Sequence, residues 1–252
     1  MSTSSCIANF TQDALLNGRV ALLQPRNGYR AAIDPVLLAA AIPAKSGENA
    51  VELGLGSGAA SLCLLARCPE LLHISGLELD QGQAELAQRN AEINRAGDRL
   101  LVILGDAAHP PKALARNHFD HVLMNPPYLE AARHDAPAHA GRATAHVEAT
   151  DGLKDWIKSA GKLLKQRGRL TLIHRADRLD HILAELPPTF GSIAVLPIWP
   201  RAGEAAKRVI VQAIKGGKGA CRLLPGLVLH DEAGYTSEAD AVLRGQAALD
   251  FA

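Results

Sequence analysis

Val51-Glu52-Leu53-Gly54-Leu55-Gly56-Ser57-Gly58 is the stretch from which the rest of the chain can be read. An apolar run ends in a cluster of glycines, and Ala59 to Arg67 continues with helical spacing, so the stretch reads as strand, tight turn and helix. Glycines at such a turn let a backbone come close to a ligand and present amide donors at a helix N-terminus. From Asn49 onward short apolar runs alternate with longer helical patterns, which predicts an α/β sheet with crossover helices. Strands are expected at Ala50–Leu53, His73–Leu77, Leu100–Leu104, Phe119–Met124, Arg169–His174, Ser192–Leu196 and Arg208–Ile214. Helices fall between them, at Ala59–Arg67, Gln81–Arg95, Leu153–Lys165 and Arg178–Leu186.

The ends of these strands carry acids. Glu52 stands two residues before Gly54, where a negative charge would repel a pyrophosphate but suit an ammonium. Gly54, Gly56 and Ala59 loosely satisfy a dinucleotide fingerprint, so a nicotinamide enzyme stays open as an alternative. Against it, Gly58 follows Gly56 by two positions rather than three. Glu78, at the next strand end, can take both hydroxyls of a ribose, while Asp80 reads as the cap of the helix from Gln81. The third strand delivers Gly105-Asp106-Ala107, where Asp106 can accept from an adenine amino group. Three acids at successive strand ends fit a nucleoside lying along one edge of the sheet.

Asn125-Pro126-Pro127-Tyr128 follows the apolar run Phe119 to Met124. Prolines withdraw backbone donors and leave carbonyls pointing outward, which is poor packing but a usable site. The Asn125 side-chain oxygen and the Pro126 carbonyl can each accept one hydrogen of a planar amine, and Tyr128 can stack on its ring. Those bonds draw the nitrogen out of planarity and free its lone pair, with no general base required. The plain alternative is a turn, since Asn-Pro commonly starts one.

Bulk properties set the outer limits. The chain has 252 residues, 48% of them hydrophobic, enough for a core of one large domain. Its formal charge of +1 gives no global basic field, so any nucleic-acid contact is local. Cys6, Cys63, Cys68 and Cys221 form no CxxC pair, and no metal-ligand spacing emerges, so neither metal nor disulfide framework is expected. Met1 to Phe10 lacks the marks of a signal peptide and no apolar run is long enough to span a membrane; a cytoplasmic location is the expectation. Residues 1–48 read as a lead-in and helix, 49–215 as the sheet and 216–252 as an extension of one domain. Asp34-Pro35 opens an apolar helix, with Asp34 as its cap or, beside Tyr29 and Arg30, as a group facing cofactor or substrate.

Glu52 through Gly58, Glu78, Asp106 and Asn125 to Tyr128, in that order and spacing, resemble the class I S-adenosylmethionine-dependent methyltransferases, in the amino-methylating branch marked by an Asn-Pro-Pro-Tyr tetrapeptide. The resemblance implies a Rossmann-like seven-stranded, mostly parallel sheet with one antiparallel edge strand and helices on both faces. It implies S-adenosylmethionine as cofactor, held by Glu52, Gly54, Gly56, Gly58, Glu78, Asp106, Ala107 and Asp34, and chemistry at Asn125, Pro126, Pro127 and Tyr128. The flanks, Gln24 to Ala39 and Leu229 to Thr236, are similar to the bacterial group of tRNA adenine-N6 methyltransferases acting on the valine tRNA anticodon loop. RNA, tRNA in particular, is then the expected partner, because a base must be splayed into the pocket and single-stranded loops allow that. Tyr29, Arg30, Arg133 and Arg142 are candidates to touch it, the last two from an irregular loop expected over Leu129 to Thr150. The tetrapeptide also serves glutamine side chains, so a protein acceptor stays open. Lys154, Lys158, Lys162 and Lys165 form a stripe beside Trp156 that reads as a solvated helix face.

Overall fold

The computed structural model describes residues 10–26, 30–68, 72–112, 114–127 and 142–251, with the backbone alone for 142–151. Strands β1 (Phe10–Leu15) and β2 (Val20–Pro25) pair antiparallel, Phe10 opposite Pro25 and Leu15 opposite Val20. The sequence reading expected a loose lead-in to a short helix here. Val20, Leu22 and Gln24 are buried while their neighbours are not, a two-residue period. Leu16, Asn17 and Gly18 take positive φ in the connecting turn. Asn17-Gly18 between alternating residues was the hairpin signal.

The main sheet contains β3 (Asn49–Leu53), β4 (His73–Glu78), β5 (Leu100–Leu104), β6 (Phe119–Met124), β7 (Leu164–Arg175), β8 (Phe190–Arg201), β9 (Arg208–Lys215), β10 (Arg222–Leu223) and β11 (Leu227–His230). Its core order is β5-β4-β3-β6-β7-β9-β8, with β10 and β11 pairing successively along β8. All seven expected strands are present. The antiparallel one, β9, lies between β7 and β8 rather than at the edge. The short connection from β8 leaves β9 no course but to fold straight back against it.

Helices α1 (Asp34–Ala40), α2 (Ala59–Arg67), α3 (Gln81–Ile93) and α6 (Ser237–Leu243) contribute to one buried cluster, and α4 (Arg142–Leu163) and α5 (Leu179–Glu185) to the other. The sheet is therefore covered on both faces, which is why its strands read as nearly continuous apolar runs. Among the described residues no helix is long and apolar enough to cross a membrane. The loop expected over Leu129 to Thr150 is helical from Arg142 on; residues 128–141 lie outside the described residues. Asp34 sits in the first turn of α1 without capping it; Ile33 holds the cap position. The Asp34 carboxylate instead accepts from Arg208 Nε at 3.0 Å, tying α1 to β9.

Two buried polar side chains fix the elements around the glycine turn. Asn90, fully buried on α3, accepts from Leu23 N at 2.7 Å and donates to Leu23 O and Ser57 O at 3.0 and 2.9 Å. One turn on, Asn94 does the same to Ala21, accepting from its amide at 2.9 Å and donating to its carbonyl at 2.6 Å. The two amides thus behave as a neighbouring strand for β2. Glu52 is likewise buried, and its Oε2 accepts from the amide of Ser61 at 3.0 Å and from the Ser61 hydroxyl, joining β3 to α2. Burial pushes its carboxyl up to about 8, against the Ser61 bonds that favour the anion and with the nearby Glu78 charge that opposes it.

Asn90→Leu strands an amide and two carbonyls, and is expected to lower unfolding free energy by about 2–4 kcal/mol in urea titrations. Glu52 gives a pH signature. Its folded pKa lies above the unfolded value, so the stability it contributes is full below about pH 4.5 and is lost as pH rises through about 8. Glu52→Gln keeps an acceptor for Ser61 but cannot ionise. Its Tm relative to wild type is expected to climb between pH 5 and pH 9; parallel curves in thermal melts would show that Glu52 ionises freely.

Candidate functional site

Strand order reverses at β3, which has β4 on one side and β6 on the other. In open α/β sheets the crevice outside the carboxyl ends of the strands at such a switch point is where ligands sit. Here that crevice is a cleft of about 1100 Å³ reaching from the ends of β3, β4 and β5 past β6 to β7 and β9.

The glycine turn forms one wall. Gly54, Gly56 and Gly58 have φ of +75°, +54° and +84°, in the region open to glycine at little cost. Gly54 also lies against the Trp156 ring: a Cβ at this position would meet the ring at 2.5 Å. The Gly54 and Leu55 amides both donate to Leu77 O at 2.9 Å, which holds the turn to the end of β4.

Glu78 follows in the same wall. Its Oε2 accepts from Gly56 N at 2.7 Å and its Oε1 from Asp80 N at 2.9 Å. Asp80 caps α3, accepting from Gln83 N at 2.8 Å, as its place ahead of Gln81 implies. Asp106 lines the cleft beside Ala107 and Gly105. Its oxygens bond Ala108 N at 2.8 Å and His109 Nδ1 at 2.9 Å, and the His109 bond above all keeps its carboxyl below the usual range.

Asn125, Pro126 and Pro127 leave β6 on the wall of this same cleft. Tyr128, Tyr29 and Arg133 lie outside the described residues, as does the side chain of Arg142. Other expected residues are placed elsewhere. Glu52 sits behind the glycine turn, occupied by Ser61 and holding its proton near neutral pH, so it presents no negative charge to an ammonium. Arg30 braces the hairpin, donating to Asp13, Thr11 Oγ1 and Pro25 O at 2.6, 2.7 and 3.0 Å. Asp34 is not among the described lining residues of the cleft, and it pairs with Arg208, which is.

The far end holds residues the sequence reading did not find: Arg175, Asp177, Lys207 and Arg208. Arg175 is paired with Asp177 at 2.5 Å. The available signal was the expected strand ends themselves, since Arg175 follows His174 and Lys207 precedes Arg208 where two strands meet the same sheet edge.

Comparison with known proteins bears on this geometry. A profile described as "Methyltransferase small domain" matches residues 32–196. The tRNA1(Val) (adenine(37)-N6)-methyltransferase of Porphyromonas gingivalis (strain ATCC BAA-308 / W83) is 32% identical over 137 residues, 54% of this chain and 52% of that protein. The chain thus spans about half the length of that relative. A protein of the same name from Actinobacillus pleuropneumoniae serotype 7 (strain AP76) is 29% identical over 180 residues, 71% of this chain and 73% of its own. Among solved structures, a predicted O-methyltransferase from Agrobacterium tumefaciens superposes with a TM-score of 0.72 at 29% identity, covering 86% of this chain and 98% of that one. The profile runs from just before α1 into the middle of β8, well over half the chain, and the chain therefore belongs to the methyltransferase small domain family.

Proposed function

We propose that this chain is an S-adenosylmethionine-dependent N-methyltransferase that acts on an exocyclic amine, N6 of an adenine in a structured RNA such as tRNA. The observation that carries the reading is that Asn125 and Pro126 line the same cleft as Gly54, Gly56, Glu78 and Asp106.

The residues present fit the cofactor. Each Glu78 oxygen accepts one backbone amide and has capacity for one more donor, which suits two ribose hydroxyls. Asp106 is ionised and exposed enough to accept from an adenine amine. Gly54 and Gly56 supply a wall free of side chains. When bound, the sulfonium supplies an electrophilic methyl carbon. The chain's own task is to align and desolvate the acceptor. Asn125 Oδ1 and Pro126 O each accept one N–H of the target amine and turn its lone pair out of the ring plane. Both acceptors are neutral, which favours an amine over a hydroxyl that would first have to lose its proton.

Two further facts support an RNA acceptor. The Porphyromonas gingivalis and Actinobacillus pleuropneumoniae relatives bear names of tRNA adenine-N6 methyltransferases. The charged groups of the cleft also divide by sign, with Glu78, Asp80 and Asp106 at the β4 and β5 end and Arg175, Lys207 and Arg208 at the β7 and β9 end. A cationic cofactor suits the first end and a phosphate-bearing acceptor the second.

The test is methyl incorporation from labelled S-adenosylmethionine into tRNA, total RNA and a protein extract, with label expected in tRNA. Label in protein alone would replace this reading with glutamine methylation. S-adenosylhomocysteine should raise the Tm and NAD should not; the reverse would favour a nicotinamide enzyme. Asn125→Ala is expected to lower kcat by roughly 100-fold or more while S-adenosylhomocysteine affinity stays within about twofold. Glu78→Ala is expected to weaken that affinity by about tenfold or more, as loss of charge-assisted bonds implies. Equal loss of turnover and cofactor affinity in Asn125→Ala would contradict the role given to its side chain.

A further inference from the structure

A second cavity of about 540 Å³ lies between the segment 108–116 and α4, and Lys112, Arg116 and Lys162 all line it. No carboxylate is among its described lining residues. The other lysines of the expected stripe, Lys154 and Lys158 on α4 and Lys165, which lies at the start of β7 rather than on the helix, make this unusual. Lys154 pairs with Glu185 at 3.3 Å, Lys158 with Asp155 at 3.1 Å and Lys165 with Asp120 at 2.8 Å. The structure records no such partner for Lys162, nor for Lys112 or Arg116, among the described residues. In a chain whose acids and bases nearly balance, three cations facing one hollow repel each other, and a concave wall concentrates their field.

The hollow is also anchored. Ser159 Oγ donates to Ala108 O at 2.9 Å, fixing the loop to α4 at the point where the two walls meet. The same loop serves both cavities: Gly105, Asp106 and Ala107 face the main cleft, and Ala108 to Lys112 face this one. From Asp106 to Lys112 the chain spans at most roughly 22 Å even if fully extended. His109, paired with Asp106 and open to solvent, stands at the rim between them.

The geometry points to a phosphate-binding site formed by Lys112, Arg116 and Lys162, which takes a phosphodiester of the acceptor RNA a few nucleotides from the reacting base. The assignment of RNA as the source rests on the function proposed above; the phosphate chemistry does not. Lysine and arginine are the residues that hold phosphate oxygens, by charge and by directed N–H donors.

The decisive variant is K112Q/R116Q/K162Q, compared with the charge-retaining K112R/R116K/K162R, with the Tm of each checked in parallel. Binding of a tRNA acceptor is measured across a range of salt concentrations. Three lost phosphate contacts on a single strand should make the slope of log K against log salt shallower by about 2. The glutamine variant should show this and the charge-retaining one should not, while the Tm shift with S-adenosylhomocysteine is unchanged in both. A second arm titrates inorganic phosphate: a Tm rise in wild type, absent in the glutamine variant, with identical RNA slopes would overturn RNA as the source and leave a site for free phosphate. Identical slopes and no phosphate response in a folded variant would overturn the site altogether. Wild-type methylation of protein but not RNA would instead sink the proposed function, with the phosphate titration still deciding the site.

Discussion

The arrangement depends on the Leu77 carbonyl, which accepts from both the Gly54 and Leu55 amides. A turn with three left-handed glycines has no side chains to hold its shape and loses much conformational freedom on folding. Here the shape is imposed from the neighbouring strand. Leu77 O fixes the first two amides, and Glu78 Oε2 takes the amide of Gly56. Behind the turn Glu52 ties its far end to Ser61, and in front the Trp156 ring closes over Gly54. The candidate cofactor wall is therefore set by β4 and α4 as much as by its own glycines.

Most of the sheet was legible in the sequence, and the reason is burial. Strands covered on both faces by helices read as apolar runs, so the seven core strands stood out, five of them with bounds within one residue of those observed, while β7 begins five residues earlier and β8 ends five residues later than expected. The misses have physical causes. The hairpin at Phe10–Pro25 alternates weakly, because β1 is half exposed and β2 hides Gln24. Gln24 is buried because its amide bridges Asp13 and Ala31, a purpose no pattern of apolar residues reveals. The place of β9 between β7 and β8 depends on which edge is free when the hairpin folds back. Sequence order does not carry that.

The site was legible to a different degree. Glu78, Asp106 and Asn125 line one cleft because each ends or closely follows a strand, and strand ends at one edge converge. Glu52 also ends a strand, yet its side chain turns beneath the helix rather than into the crevice. Glu52 is in register with Gly76, so Glu78, two positions further on, shares its face; Glu52 lies inside the sheet beneath α2, and Glu78 is the last residue of its strand. The sequence shows the position of an acid; its exposure depends on how far toward the strand end α2 covers the sheet. Arg208 was missed for the opposite reason: it begins β9, and only the antiparallel course of that strand brings its first residues to the same edge as the last residues of the others.

The charges that share the main cleft are tethered before any ligand arrives. Arg175 is held by Asp177 and Arg208 by Asp34, while the Glu78 carboxylate is held by two backbone amides. Without such tethers, opposite charges at the two ends of one cavity would gain by closing on each other. An ion pair at 4 Å is worth about 4 kcal/mol at the effective dielectric of a protein surface. Local partners remove most of that incentive and leave each group oriented. Between the two ends, the described lining residues that follow β6 are neutral: Asn125 and the two prolines. A charge there would pair with one end or the other. A neutral carbonyl and amide are not drawn to either end by charge, which suits the midway position where the proposed transfer takes place.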